Sequence, residues 1–202
     1  MISLLINQFI TDMRKILLAF ALASFMFTAY AANNTNGNER KMTRKELREK
    51  RKAEEAKLDS MSYKLAVLAI NANSWVLKAT SITVTGGPNV FVQPNVNFIQ
   101  VVGNTMTLQT STGFGGGPNN MGGITASGTI SRESRETDKN GGLEYTFRVN
   151  GTTINGTVMV DLPSEQSVAT AFINFDSGTS ITMQGVVRPY SNTEVYEGTP
   201  IY

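Results

Sequence analysis

The 202-residue chain contains no cysteine and no histidine. Without cysteine there is no disulfide, no thiolate nucleophile and no soft metal ligand. The lipid-bearing cysteine of a bacterial lipoprotein is missing as well. Without histidine, the commonest general base and the commonest metal ligand are gone. Ser-His-Asp and Cys-His catalysis are excluded, and zinc is nearly excluded. Charge is also sparse and uneven. The formal net charge is +2. Residues Glu39 to Asp59 hold nine Lys/Arg and six Asp/Glu, whereas Ser60 to Tyr202 hold seven and nine. The basic character therefore sits in the N-terminal part. The rest is nearly neutral and encodes no attraction for nucleic acid.

What is present begins with an address. Met13-Arg14-Lys15 precedes a mainly apolar run, residues 16–31, that ends in Ala29-Tyr30-Ala31. Two cations, an apolar core and a small-x-small end are the parts of a secretory signal peptide. The sequence predicts such a peptide over residues 1–31, cleaved after Ala31, with Met13 as an alternative start. The run falls short of the roughly 20 residues a membrane span needs, so no span is expected in the mature chain. Export also separates the protein from cytoplasmic nucleotides.

Residues 32–60 read as a charged polar connector, partly helical. Thr43 and Glu46 have capping-box spacing, which predicts a helix start at Thr43. Few apolar residues follow before Leu58, so the helix has no face to bury there. Farther on, Leu65, Leu68 and Ala69 lie at helical spacing and are expected to dock onto the domain that follows.

From residue 74 the period changes to two. Strands are expected at 74–84, 95–102, 105–111, 123–130, 143–149, 153–162, 167–175 and 180–189. Gly103-Asn104 and Asn140-Gly141 mark hairpins. The segment 167–175 alternates less and is expected to be buried on both sides. About eight strands with short connections leave no room for parallel crossovers. The fold expected for residues 61–202 is all-β: an antiparallel meander, barrel-like or sandwich. Val195, Tyr196 and Ile201 in the last segment are expected to cover an edge or a barrel end.

The charged KMTRKELREKRKAEEAK, the hairpin NVNFIQVVGNTMTLQTS, the loop-strand GGPNNMGGITASGTI, the strand SITMQGVVRPY and the closing SNTEVYEG stand in this order. In that order they resemble a domain-of-unknown-function family of exported Bacteroidetes proteins, the one numbered 4251. The resemblance implies an exported β-rich domain and assigns no catalytic residue, so none is carried over. Asp59-Ser60-Met61 also has the form of the short O-glycosylation motif of Bacteroidetes, a weak three-residue match.

Several places invite a chemical reading. GFGGGPNNMGG, residues 113–123, looks at first like a phosphate cradle. It lacks Gly-Lys-Ser/Thr and precedes a strand instead of a helix, so it reads as a turn or contact loop. Deleting Gly115 to Asn119 is expected to leave the fold nearly intact. Asp138 to Glu144 starts like a calcium loop, but the hairpin reading of Asn140-Gly141 is stronger. Glu133, Glu136, Asp138 and Glu144 form a candidate carboxylate set, against which stands a solvated strand end with Arg132, Arg135 and Lys139 nearby. Trp75 is read as core before a ligand platform, and Phe91, Phe98, Phe114 and Phe147 are read as core, or as the lining of an apolar cavity if the sheet closes. No catalytic residue, cofactor or metal is assigned. The function expected is a non-catalytic exported protein of the bacterial cell envelope, periplasmic or secreted, whose partner is an envelope component or another protein. A carrier of a small apolar ligand or lipid is the alternative, and an enzyme comes third.

Overall fold

The structure is a computed structural model that describes residues 43–111, 118–119 and 122–200. The signal segment with Ala31, and Phe114 and Ile201, lie outside the described residues. The chain divides into two units, Met1–Leu47 and Arg48–Tyr202. Only residues 43–47 of the first are described, and every described strand belongs to the second.

Helix α1 spans Arg44–Asn71. Its capping box forms: Glu46 N–H donates to Thr43 Oγ1 at 3.3 Å, and Thr43 N–H donates to Glu46 Oε2 at 2.7 Å. The helix runs through residue 60 without a break, and Ser60 of the Asp-Ser-Met triplet is half-buried within it. Its docking face keeps Ala69 of the expected set, with Leu65 half-buried, but turns Leu68 outward. Ala66, Ala69 and Ile70 are buried, with Tyr63 and Val67 packed beside them, while Leu68 is exposed. The small side chains of Ala66 and Ala69 let the helix approach closely, which places Leu68 on the far side.

Nine strands follow: β1 Ser74–Val84, β2 Asn89–Phe91, β3 Phe98–Val102, β4 Thr105–Ser111, β5 Gly123–Thr137, β6 Leu143–Asn150, β7 Asn155–Leu162, β8 Val168–Phe175 and β9 Ser180–Pro189. All pairings are antiparallel. β1 pairs with β9 along its length, and its other edge pairs first with β3 and then with β2. Eight strands therefore close into a barrel, and β2 is an extra flap. Closure leaves few edges exposed.

The inward positions follow the period of two. Leu77 faces Ile99, Ile99 faces Leu108 and Leu108 faces Ala126 across successive strands. Phe147, Val158, Ile173 and Ile181 form a second such row. Trp75, Tyr145 and Phe147 are fully buried inside. Trp75 meets Tyr145 edge-on at 6.3 Å between ring centres, and Tyr145 lies 4.8 Å from Phe147. Small residues at Ala79, Ala169, Ala171 and Gly185 offset these large rings. An interior of eight strands is just wide enough for side chains to fill.

Two expectations need correction, and a third, the burial of Phe98, holds on another face than the barrel interior. Phe91 is 85% exposed on β2, because that flap lies beyond the closed ring. Phe98 is buried, but on the outer face beside Gln109 and Lys78. The segment 167–175 is not buried on both sides: Ala169, Ala171 and Ile173 point inward, whereas Val168 and Asn174 are exposed. Among the described residues no helix is long and apolar enough to cross a membrane.

Candidate functional site

The four carboxylates that the sequence singles out do not gather at one point, although two of them stand opposite each other across the hairpin. Asp138 Oδ1 accepts the backbone N–H groups of Asn140 at 2.7 Å and Gly142 at 2.8 Å. It closes the β5–β6 hairpin as an Asx-turn. Glu136 and Glu144 are cross-strand partners on the outer surface. Only Glu133 enters a cluster, and it does so because β5 bulges between Ser131 and Ser134. Arg132 takes a left-handed φ of 52° there. The bulge shifts the period, so that Arg135 stands opposite Tyr145 at the mouth of the barrel.

The cluster joins the end of α1 to β5 and β6. Glu133 Oε2 accepts from Arg135 Nη2 at 2.6 Å, Tyr145 Oη at 2.7 Å and Asn73 Nδ2 at 3.1 Å. Arg135 Nη2 also donates to Asn73 Oδ1 at 2.5 Å, and its guanidinium lies 4.2 Å above the Tyr145 ring. The Tyr63 hydroxyl donates to Gly141 O, which ties the helix to the hairpin turn. Burial pushes the Glu133 carboxyl up, but the three donors and the Arg135 charge outweigh it and hold it below its ordinary value. Burial, then the bond to Glu133, hold the Tyr145 hydroxyl well above the usual phenol range. An ionised carboxylate with three internal donors on one oxygen is a lock, and a poor proton shuttle.

This lock is expected to show in acid. A lowered carboxyl contributes stability that is present above the unfolded value of about 4.3 and disappears as pH falls through the folded value. Glu133→Gln keeps the shape and removes the charge. Thermal melts of wild type and Glu133→Gln are expected to differ at pH 7 and to converge as pH falls below about 4. A gap that stays constant with pH would count against the lock.

A second polar layer lies on the outer face of β3, β4 and β5. The tail after β9 begins with a 3₁₀ turn, Tyr190–Asn192, that packs on β1 and β3. The tail then crosses the barrel wall as a strap. Gln109 Nε2 donates to Tyr196 O at 2.7 Å and Val96 O at 3.0 Å. Its Oε1 accepts from Gly198 N–H at 2.7 Å and Thr125 Oγ1 at 2.8 Å. Lys78 Nζ donates to Glu194 O at 3.2 Å. The strap thus covers a wall instead of a barrel end. Val195 is half-buried in it, while Tyr196 points out. Gln109→Ala would orphan these buried groups at a cost of about 1–3 kcal/mol. Limited proteolysis is expected to cut after β9 sooner in that variant, and unchanged cleavage would contradict the strap.

Asn119, the described middle of the glycine-rich connection, is fully buried beneath the strap. Its Oδ1 accepts Gly123 N–H at 3.0 Å, and Thr199 N–H donates to its carbonyl at 3.3 Å. A Cβ on Gly123 would lie 1.9 Å from Thr110 O. The connection does join two antiparallel strands, as expected. At these two residues, however, it is packed. A deletion that takes Asn119 removes an anchor and is no longer expected to be neutral.

The third feature is a groove of about 270 Å³ between α1, the barrel wall and the strap, lined by Leu65, Lys78, Arg188, Pro189, Thr193 and Glu194. Sequence reasoning missed it, because its residues come from four separate segments.

Comparison with known proteins agrees with the architecture. Residues 57–187 match the family described as Domain of unknown function (DUF4251). No curated protein matches the chain. Among solved structures, a crystal structure of a DUF4251 family protein from Bacteroides eggerthii DSM 20697 is similar, with a TM-score of 0.58 and 31% identity. The similarity covers 68% of this chain and 94% of that one. With this match over more than half its length, the chain belongs to the DUF4251 family.

Proposed function

We propose that this chain is a non-catalytic exported domain of the bacterial cell envelope that works by binding or by structural association. The observation that carries the reading is the side-chain-filled barrel. Trp75, Tyr145 and Phe147 occupy the interior where a carrier would hold its cargo. Contact with a partner is then left to the outer surface. The titratable groups support the same reading. Glu133 is locked in place, Asp138 closes a turn, and Arg148 pairs with Asp176 on the surface. Support for export comes from the sequence: Arg14-Lys15, the apolar run to Ala31, and the polar stretch that follows.

Fractionation of the host with N-terminal sequencing and cross-linking tests this reading. The chain is expected in the envelope or outside the cell, starting at Ala32, and cross-linked to an envelope component. Recovery from the cytoplasm with the N-terminal segment intact would overturn it.

A further inference from the structure

The groove carries two cations with donors to spare. In the β1–β9 register Val76 faces Arg188 and Lys78 faces Val186. Lys78 and Arg188 are therefore diagonal neighbours on one face, within reach of a single bound group. Lys78 spends one donor on Glu194 O and keeps two. Arg188 is exposed and makes no hydrogen bond or ion pair with any described residue. Arg135 and Arg148, by contrast, are both paired. Glu194 offers its carbonyl to Lys78, while its carboxylate makes no ion pair among the described residues. The lining is left with one net positive charge. Leu65 and Pro189 supply apolar walls.

We propose that this groove binds a small organic carboxylate. The Arg188 guanidinium fork takes the carboxylate, Lys78 adds a second contact, and the apolar part of the ligand lies against Leu65 and Pro189. The planar fork of arginine matches a carboxylate in two parallel hydrogen bonds. The volume, about 270 Å³, falls just below the roughly 300–1,000 Å³ seen for small-molecule sites. A volume of that size suits a compact molecule. The two apolar walls favour an amphipathic acid over a bare inorganic anion. The inference deepens the binding reading above and rests on it.

The test is titration calorimetry on the full chain with octanoate, octanol and inorganic phosphate. Octanoate is expected to bind saturably in the millimolar range, and octanol and phosphate at least about tenfold more weakly. Arg188→Ala is expected to weaken octanoate by about tenfold or more, and Arg188→Lys to recover part of the loss. Lys139→Ala, in the β5–β6 turn and outside the groove lining, is expected to change nothing. Arg188 is exposed, so circular dichroism of both Arg188 variants is expected to match the parent. Absence of saturable heat from octanoate would overturn the proposal. Octanol or phosphate binding as tightly as octanoate would do the same, as would octanoate binding unaffected by both Arg188 variants. Loss of octanoate binding with an envelope partner still recovered by cross-linking would remove the groove and leave the binding reading standing.

Discussion

Trp75→Ala is expected to lower the stability of the domain by about 3–5 kcal/mol, the usual range for removing a large buried ring. Trp75 is fully buried at the start of β1, where that strand pairs with both β3 and β9. Its removal leaves a cavity beside Tyr145, whose ring it meets edge-on. For a chain of this size the melting temperature should fall by roughly 10 °C or more. A companion variant isolates the indole nitrogen. Trp75 Nε1–H is buried without a hydrogen-bond partner among the described residues. Trp75→Phe removes that unpaired donor and keeps most of the ring contact. The lost volume and the relieved donor act in opposite directions, so a net cost below about 1.5 kcal/mol is expected. Melts followed by circular dichroism at 222 nm check both. Equal losses for Ala and Phe would mean that the indole N–H is satisfied.

Gly185→Ala is the second large expected effect, and it tests barrel closure. Gly185 lies in β9 between Ala79 of β1 and Ala169 of β8. β1 bulges between Ala79 and Ser81, which brings its backbone close to β9. A Cβ on Gly185 would lie 2.0 Å from Lys78 O and 2.7 Å from Ala79 Cα. These are backbone atoms and cannot swing aside, so the seam has to part. A loss of about 3 kcal/mol or more is expected, at the upper end for overpacking. Hydrogen exchange is expected to rise first along the β1–β9 seam. A neutral Gly185→Ala would contradict the closed register.

The fold was legible where the physics is local. β1, β4 and β9 are read to their end residues, because each alternates cleanly between turn signals. The capping box at Thr43 and Glu46 is equally local. The rest depends on long-range pairing. β5 continues to Thr137 through SRESRET, which holds no apolar residue to alternate, and the bulge at Arg132 shifts the register there as well. β2 has three exposed residues and is held by pairing with β1. Phe91 and Leu68 show the limit of reading hydrophobicity as burial: a chain has more apolar residues than one small core can cover. The candidate site was less legible than the fold. Glu133 is named in the sequence, but its partners Asn73, Arg135 and Tyr145 come from three elements. The groove joins Leu65 to Arg188, more than a hundred positions apart, and leaves no trace in local pattern.

The central claim is that the barrel is filled by its own side chains and that binding is left to the outside. Native mass spectrometry of the protein, purified gently from its host, tests this most directly. The account predicts the mass of the polypeptide without an apolar cargo retained through organic-free purification. A stoichiometric lipid-sized mass increment that persists in Arg188→Ala and is released on unfolding would contradict it.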